Sequence, residues 1–522
     1  MLDAPNAIRI KTLHAANPSY DPGYAGDLWR LYAGGKALDE ARADFIRQRR
    51  AEPQETYLER VARAFFCGYL GEIVDSFVAN LFLGEPSFAI AGQETLPDYY
   101  QAFARDCTGN GTDLNAFHRA RWSRALVQGC AWTWVELPEI AAETREALGD
   151  DPTLQQLEDA GSRDAYLIPV SYHELRDWKN DSHGRLEWAT VHQVRMQRTG
   201  PFSDERTQTH RWTILGREGF AVYTFDEEYE LGHVDADGRT LWKPKGGAEA
   251  FLTKEANLQA EGRHPFGAVP LVGLSLPPAL VVGQKIAGIQ RGIIELDNAI
   301  TWQQLMSLFA MPVVKSGKEF GQMMGEGYFI QLEPEDSFDW SEPGGSAIQT
   351  SMDRREQLKE EMFRVAHQMA QAVKSSAQTA GRSGEAKRRD QTPTEIVLWH
   401  LASLARDYEQ EILRMVGKSR QGPDVQYEWE INGFDEFDVD DLSDLLDDYL
   451  KADAAHVPSE TLRKSRQRAL ADKLAPNADP EERRKIHAEI EAADPEDAPT
   501  DDNEPEPAPP GAPSPRRPAP DQ

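Results

Sequence analysis

The sequence predicts an α+β protein made of several structural parts. Helical periodicity dominates before residue 130, β-type runs fill residues 166 to 272, and long helical stretches return after residue 278. A chain of 522 residues is also too long for one compact core. We therefore expect either two or more domains or one extended subunit with several parts.

The first strongly patterned segment, residues 57 to 83, is predicted to form one long helix or two helices in tandem. Its apolar side chains recur every three or four positions, and Gly84-Glu85-Pro86 ends the pattern. A second helix is predicted from Asp113 to Gln128. It leads through Gly129 into the strand-like sequence AWTWVEL.

The middle of the chain has the pattern of a β-rich region. The β-type runs are YLIPVSY, LEWATVHQV, RWTILG and FAVYTF, and turn signals such as Asn180-Asp181, Gly200-Pro201 and Asp237-Gly238 separate them. The sequence PFGAVPLVGLSLPP then closes the region as a buried strand.

Two long helices with apolar seams are predicted next, from residue 278 to about 309 and from residue 352 to 374. Apolar residues at alternating spacings of three and four form a stripe that packs against another helix. The first seam contains Ile286, Ile289, Ile293, Leu296 and Ile300, and the second contains Leu358, Met362, Val365 and Met369. The segment between the two helices, residues 311 to 350, is short and Gly-rich and has a β-type pattern.

A small, polar and basic stretch, residues 375 to 392, precedes a third long helix. The sequence is consistent with two start positions for this helix. Thr392 and Glu395 form a capping-box pattern with Pro393 at the first helical position. If the helix instead begins near Ser383, the same proline is expected to kink it.

The C-terminal part combines an acidic folded segment with a proline-rich tail. Between Asp424 and Leu450 there are eleven acidic residues and no Lys or Arg, but regularly placed apolar residues predict a strand and a helix. Past Asp494 the chain has ten prolines in its last 28 residues and almost nothing to bury, so we expect a disordered tail.

The net charge of −30, from 57 Lys and Arg against 87 Asp and Glu, argues against a simple DNA clamp. Proteins that bind DNA without sequence preference neutralise phosphates with basic patches. This chain should repel a duplex over most of its surface, which suits a conduit better than a clamp. One basic group is the exception, and it either is a solvated helix end or contacts the phosphate backbone. It consists of Lys374, Arg382, Lys387, Arg388 and Arg389.

The residues give no support for an enzyme or for a bound cofactor. Arg30 occupies the place of the first glycine in a P-loop, and His173-Glu174 lacks the second histidine of a zinc protease motif. The twelve histidines are dispersed, and most are expected to be satisfied surface or core groups. The acidic cluster around Asp440, Asp444 and Asp448 more often forms a solvated helix face than a metal site.

Disulfide, zinc and membrane classes are also disfavoured. Cys67, Cys107 and Cys130 are far apart and form no CxxC pair. The longest uncharged stretch, residues 268 to 284, is interrupted by three prolines and several glycines, so no spanning helix is expected.

The order of these segments resembles that of portal proteins of tailed bacteriophages, in particular the siphophage-type portal family. The resemblance covers residues 50 to 493 and includes several local motifs. They are RARWSRALVQGCAWTWVELPE, HPFGAVPLVGL, Ser383-Gly384-Glu385-Ala386 and VPSETLRKSRQRALADKLAPNADPEERRKIHAEIEA. The chain departs from the family in the dense basic run after Ser383-Gly384-Glu385-Ala386, and its proline-rich tail lies outside the resemblance.

The resemblance implies an arrangement of parts assembled into a ring. The implied parts are an N-terminal arm (1–50), a β-rich wing (51–277), a first stem helix (278–310), a clip (311–351), a second stem helix (352–374), a tunnel loop (375–384), a tunnel helix (385–417), a wing return and helical crown (418–493) and a tail (494–522). In the clip, Lys315, Lys318 and Glu319 are candidates for contacts with the terminase or the adaptor.

The resemblance also implies the partners and the place of action. The family forms homo-oligomeric rings, usually of twelve subunits, at one capsid vertex of the virion, assembled in the host bacterial cytoplasm. Double-stranded DNA passes through without sequence recognition, driven by the large subunit of a separate terminase. A head–tail adaptor and the major capsid or scaffold protein are the other partners, and no membrane or cofactor is involved. Two alternatives stay open, a minor capsid or scaffold protein that forms no ring, and, less favoured, a metal-dependent nuclease built on the acidic clusters.

Overall fold

The computed structural model divides the chain into two compact units, Met1–Phe437 and Asp438–Gln522. It describes residues 4–93, 95–138, 153–198, 206–234, 240–244, 248–308, 311–315, 337–341, 345–376, 388–422, 427–434 and 480–492, with isolated positions at 144, 146, 200, 463, 464, 467, 468 and 471. Its helices and strands confirm the α+β class.

Eight helices of the described part precede residue 130. They are α1 (Ile10–Leu13), α2 (Pro22–Ala33), α3 (Gly35–Asp39), α4 (Arg42–Phe45), α5 (Gln54–Ala62), α6 (Tyr69–Leu81), α7 (Asp98–Arg105) and α8 (Leu114–Gln128). The segment predicted as one helix or two forms the tandem pair α5 and α6. The prediction for α8 is confirmed: the Asp113 carboxylate accepts from the Ala116 backbone N–H at 2.8 Å, and Gly129 ends the helix at φ 92°.

The β-rich middle is confirmed as an antiparallel sheet of seven strands. The strands are β1 (Ala7–Arg9), β5 (Leu175–Asn180), β6 (Leu186–Arg198), β7 (Arg206–Gly216), β8 (Gly219–Val234), β9 (Thr240–Pro244) and β10 (Glu255–Arg263). Their order is β1-β10-β8-β7-β6-β5, with β9 paired to β8. The strands are longer than the β-type runs, and β1 brings the N-terminal segment to the edge of this sheet.

A second antiparallel sheet has the order β11-β3-β4 and packs on one face of the first. It contains β3 (Cys130–Glu136), β4 (Tyr166–Val170) and β11 (Leu271–Ser275), so the strand predicted before the first long helix is present. Between the two sheets lies a core with Trp134 and Leu271 on one side and Val191 and Leu215 on the other. The short helices α9 (Leu154–Asp159) and α10 (Ala248–Thr253) lie in the connections.

Three long helices follow a 3₁₀ turn at Pro278–Leu280. They are α11 (Val282–Leu308), α12 (Gly345–Ser376) and α13 (Arg388–Gln421). The middle helix, α12, packs on both α11 and α13. Between α11 and α12, the strands β12 (Met311–Lys315) and β13 (Ser337–Ser341) pair antiparallel.

The start of α13 corrects one expectation. The helix has already begun at Arg388 and runs through Pro393, so the capping-box pattern at Thr392 does not mark its first turn. A proline inside a helix removes one backbone hydrogen bond, and the rest of the helix remains paired. The described part of α13 begins upstream of the proline, as in the second alternative, and residues 383–387, where that alternative starts the helix, lie outside the described residues.

The strand predicted in the acidic C-terminal segment is β14 (Trp429–Asn432), which pairs antiparallel with β2 (Ser87–Ile90). The predicted acidic helix after it, the tunnel-loop residues 377–384 and the tail 494–522 lie outside the described residues. Of the second unit, the structure describes α14 (Pro480–Ala492) and a bond in which Lys464 Nζ donates to the Glu491 carbonyl at 2.6 Å.

A single large core joins the N-terminal helices to α11, α12 and α13. The residues predicted as an N-terminal arm contribute to it through Leu28, Leu31 and Phe45. No helix in the described ranges is long and apolar enough to cross a membrane. Cys67, Cys107 and Cys130 are free thiols.

Candidate functional site

The seam predicted on the first long helix lies on α11 and faces the core of its own chain. Ile286 and Ile293 are completely buried, and Ile289 is partly buried against the same core. Ile300 is also buried, whereas Leu296 is half-buried. Most of this apolar stripe is therefore used within the chain.

The seam on α12 is less deeply covered. Met362 is fully buried, and Leu358 and Val365 are partly buried against the large core. Met369 lies on α12 with its side chain outside the described part. Residues of both seams therefore contribute to one core, and α11 packs on α12.

A buried polar stripe on α11 was missed by the sequence reasoning, which followed only apolar positions. Gln290, Asp297 and Asn298 are each no more than 2% exposed. Gln290 Nε2 donates to the Cys67 carbonyl at 2.6 Å, which fixes the segment just before α6. Asp297 and Asn298 follow Gln290 by seven and eight residues, so all three polar side chains lie on one side of the helix. This spacing is the sequence signal that could have predicted the polar stripe.

Asn298 connects the stripe to a buried ion pair on α5. Arg60 Nη1 donates to Asn298 Oδ1 at 2.5 Å, and Asn298 Nδ2 donates back to the Arg60 carbonyl at 3.0 Å. The other side of the guanidinium is bound by Glu52, with Nε to Oε1 at 2.7 Å and Nη2 to Oε2 at 2.8 Å. These bonds from Arg60 lower the pKa of Glu52 to about 2.

Asp297 connects the stripe to α12 through Arg355. Arg355 Nε donates to Asp297 Oδ1 at 2.5 Å, and its Nη2 donates to the Tyr69 hydroxyl at 3.1 Å. Burial raises the pKa of Asp297, and the bond to Arg355 opposes that rise. The guanidinium therefore holds α6, α11 and α12 together at one point.

The basic residues predicted to meet DNA are placed only in part. Lys374 lies on α12, and Arg388 and Arg389 form the first turn of α13, but only the backbone of these residues is described. Arg382 and Lys387 lie outside the described residues. The structure therefore puts three of the five near the C-terminal end of α12 and at the start of the described part of α13.

The clip candidates and the acidic clusters lie mostly outside the described part. Lys315 ends β12, with its side chain outside the described residues, and Lys318 and Glu319 are not described. The same holds for Asp440, Asp444 and Asp448. Among the residues that are described, no three His, Cys, Asp or Glu side chains are grouped as a metal site.

Three histidines that are distant in the sequence meet on the sheet. His192 Nε2 and His210 Nδ1 share a hydrogen bond of 3.0 Å, and the His192 ring stacks on Trp212 with ring centroids 4.6 Å apart. His14, at the end of α1, packs edge-on against His192 at 5.1 Å. This histidine cluster fixes the N-terminal segment to β6 and β7.

Two charged groups near the histidine cluster come from β5 and β8, the strands on either side of the pair β6 and β7. Arg176 of β5 donates to the His14 carbonyl at 2.6 Å, and Glu227 of β8 lies 3.7 Å from His210 Nε2. Burial, followed by the neighbouring histidines, lowers the pKa of His192 to about 3 and that of His210 to about 4. All three rings are therefore neutral near pH 7.

Acidification is expected to destabilise this region. The folded-state pKa values lie below the ordinary value of 6.5, so the unfolded chain binds protons first and stability is lost as pH falls from 6.5 toward 4. His192 and His210 should each contribute about 1.4 kcal/mol of lost stability per pH unit in that window. Urea unfolding at pH 7.5 and 5.5 measures the loss.

The variant His192→Phe keeps the ring stack but removes one titrating group, so it should weaken the pH dependence. His183→Gln, at an exposed position in the turn between β5 and β6, should leave the wild-type dependence unchanged. Equal pH dependence in His192→Phe and the wild type would show that the histidine cluster does not control the acid response.

No family model matches the sequence, and no curated protein matches it. Structural comparison finds chains in particles of a gene transfer agent (GTA). One, in the virion of the native GTA particle, is 11% identical with a TM-score of 0.34 over 83% of this chain and 96% of its own. Another, in the neck of the empty GTA particle computed with C6 symmetry, is 12% identical with a TM-score of 0.31 over 84% of this chain and 98% of its own.

A third similar chain belongs to the neck of the native GTA particle computed with C12 symmetry. It is 12% identical, with a TM-score of 0.31, over 91% of this chain and 96% of its own. TM-scores of this size do not establish a common fold.

Proposed function

We propose that this chain is the subunit of a portal ring, a channel for the packaging and ejection of double-stranded DNA at a capsid vertex. The observation that carries the proposal is the order of elements from α11 to α13. A long helix, an antiparallel strand pair, a second long helix packed on the first and a third long helix packed on the second follow one another along the chain. This is the stem, clip, stem and tunnel-helix order that the sequence resemblance implies.

The charge of the chain supports the same proposal. A subunit with a net charge of −30 repels duplex DNA over most of its surface, so DNA passes without being held. We propose that the basic group makes the contacts with DNA phosphates that the acidic surface cannot make. Such contacts need no sequence recognition. The members of the basic group are Lys374, Arg382, Lys387, Arg388 and Arg389.

The chain's role in this proposal is mechanical and not enzymatic. The terminase large subunit supplies the energy from ATP, and the clip residues Lys315, Lys318 and Glu319 are proposed to contact the terminase or the head–tail adaptor. About twelve copies form the ring, and the major capsid or scaffold protein surrounds it. No cofactor is needed for a passive channel.

Electron microscopy of the purified full-length chain tests the proposal directly. We expect negatively stained class averages to show rings with a central hole wide enough for duplex DNA. Light scattering should give a mass near twelve times 58.5 kDa. A non-ring scaffold or minor capsid protein would give no central hole, and a monomer under all salt conditions would exclude the portal assignment.

A further inference from the structure

The seven-stranded sheet has an open pocket on the face that the second sheet covers only in part. Side chains alternate along a strand, so Val191, Gln193 and Arg195 of β6 lie on this same face. Val191 is buried in the core between the two sheets, whereas Gln193 is half-buried and Arg195 is exposed. The cover of this face therefore ends between Val191 and Arg195.

The pocket has a volume of about 320 Å³, and its lining consists of polar side chains. The lining residues are Gln193, Arg195, Gln197, Thr209, Arg211, Thr224, Asp226 and Gln259. Pockets for small molecules begin at about 300 Å³ and are mostly apolar. The size of this pocket thus fits a small molecule, and its lining indicates a strongly polar one.

The strand register places opposite charges on opposite sides of the pocket. Arg195 of β6 pairs with Thr209 of β7, and Thr209 pairs in turn with Asp226 of β8. Two strand spacings, roughly 10 Å, therefore separate the backbones of Arg195 and Asp226. Asp226 accepts a bond from the Thr209 hydroxyl at 2.6 Å through Oδ1. This side of the pocket is negative, and the side formed by β6 is positive.

A second arginine strengthens the positive side. Arg211 of β7 pairs with Gln193, so it is the diagonal neighbour of Arg195 across the two strands. Its Nη2 lies 3.9 Å from Glu136 Oε1, which is longer than a hydrogen bond, and its side chain is 30% exposed. Two guanidinium groups can therefore donate to one carboxylate from neighbouring positions.

Amide side chains form much of the remaining lining. Gln259 of β10 is the extra residue of a β-bulge, because the register against β8 shifts between Leu258 and Ala260. Bulges redirect a side chain and are frequent beside binding sites. Like Gln193 and Gln197, Gln259 offers both an acceptor oxygen and an NH₂ donor. Such groups complement a polar side chain without net charge.

We propose that this pocket binds an α-amino acid with a polar, uncharged side chain. The ligand carboxylate binds Arg195 and Arg211, its ammonium group binds Asp226, and its side chain contacts the glutamine amides. A zwitterion matches both sides of the pocket, whereas a simple anion would be repelled by Asp226 and a simple cation by the arginines. The site does not depend on the portal assignment, because every lining residue belongs to one chain.

Titration of the full-length chain with L-glutamine, followed by saturation-transfer NMR, tests the site. We expect saturable binding. N-acetyl-L-glutamine lacks the ammonium group and L-glutaminamide lacks the carboxylate. Each analogue should bind about 5-fold more weakly than L-glutamine, which corresponds to the upper range for one exposed ion pair.

Two variants separate the two ends of the ligand. Asp226→Asn should weaken L-glutamine binding by about 5-fold and leave N-acetyl-L-glutamine binding unchanged, because that analogue has no ammonium group. Arg195→Gln should weaken the binding of L-glutamine and of N-acetyl-L-glutamine, but not that of L-glutaminamide. The matched control is Arg198→Gln, at an exposed position on the opposite face of β6, which should keep wild-type binding. The substituted positions are exposed, so all three variants should keep the wild-type melting temperature.

Three results would overturn the proposal. The first is the absence of saturable L-glutamine binding. The second is wild-type affinity in both Asp226→Asn and Arg195→Gln, which would place the bound ligand elsewhere on the chain. The third is equal affinity for L-glutamine and its two analogues, which would show that the pocket does not recognise a zwitterion.

Discussion

Gly283→Ala is expected to destabilise the protein severely, by about 3 kcal/mol or more. Gly283 lies in the first turn of α11, where this helix crosses the end of α8. A Cβ at this position would lie 2.2 Å from the Val127 carbonyl oxygen and 2.7 Å from the Val127 Cα. Both neighbours are backbone atoms in a helix, so they cannot rotate away as a side chain could. A large drop in the melting temperature, or failure to fold, is the expected result.

Gly288→Ala is the matched control for this prediction. Gly288 lies on the same helix and is exposed, and no atom of the described part lies within 4 Å of the place that an alanine Cβ would occupy. Because alanine favours a helix over glycine by about 0.8–1 kcal/mol, this variant should be neutral or stabilising. Similar melting temperatures for the two variants would mean that α11 does not cross α8 at Gly283.

Arg60→Met is expected to cost about 3 kcal/mol, the low end of the range for breaking a buried ion pair. The change leaves the Glu52 carboxylate without its two bonds and Asn298 Oδ1 without its donor. Both side chains of the pair are only 5% exposed, so water cannot replace these contacts without opening the structure. We choose the low end because α5 lies at the edge of the core. Urea unfolding should show a lower midpoint with an unchanged slope.

Arg63→Met provides the comparison for Arg60. Arg63, just after α5, forms an ion pair of 2.8 Å with Glu59, but its side chain and that of Glu59 are about half exposed. Pairs of this kind contribute about 0.5 kcal/mol or less. If the two variants lost the same stability, the burial of Arg60 would have no energetic consequence.

Local sequence patterns predicted most of the helices and strands, because the spacing of apolar residues in a segment indicates which of its faces is buried. The helix α8 shows this most clearly: it is predicted from Asp113 to Gln128, and in the structure Asp113 caps its start and Gly129 ends it. The strands of the middle region follow from their apolar runs and turn residues. A capping box and a proline gave two competing signals for the start of α13, and the described part of the helix begins upstream of both.

The contacts of the candidate sites could not be found in the same way. Arg60 and Asn298 are 238 positions apart, and His14 meets His192 only because β1 and α1 are held on the sheet. Arg124 of α8 has an ordinary polar position on an amphipathic helix, and its guanidinium lies over the ring of Trp29, which comes from another part of the chain.

The sequence by itself determined the α+β class, the positions of the long helices and the strongly acidic character of the chain. These properties depend on composition and on spacings within one segment, which no distant contact changes. Only the tertiary structure decided that the seam of α11 is covered by the core of its own chain and that a polar stripe beside it binds α5 and α12. The reason is physical: whether a polar group is paired depends on what the rest of the chain brings within about 3 Å of it, the length of a hydrogen bond.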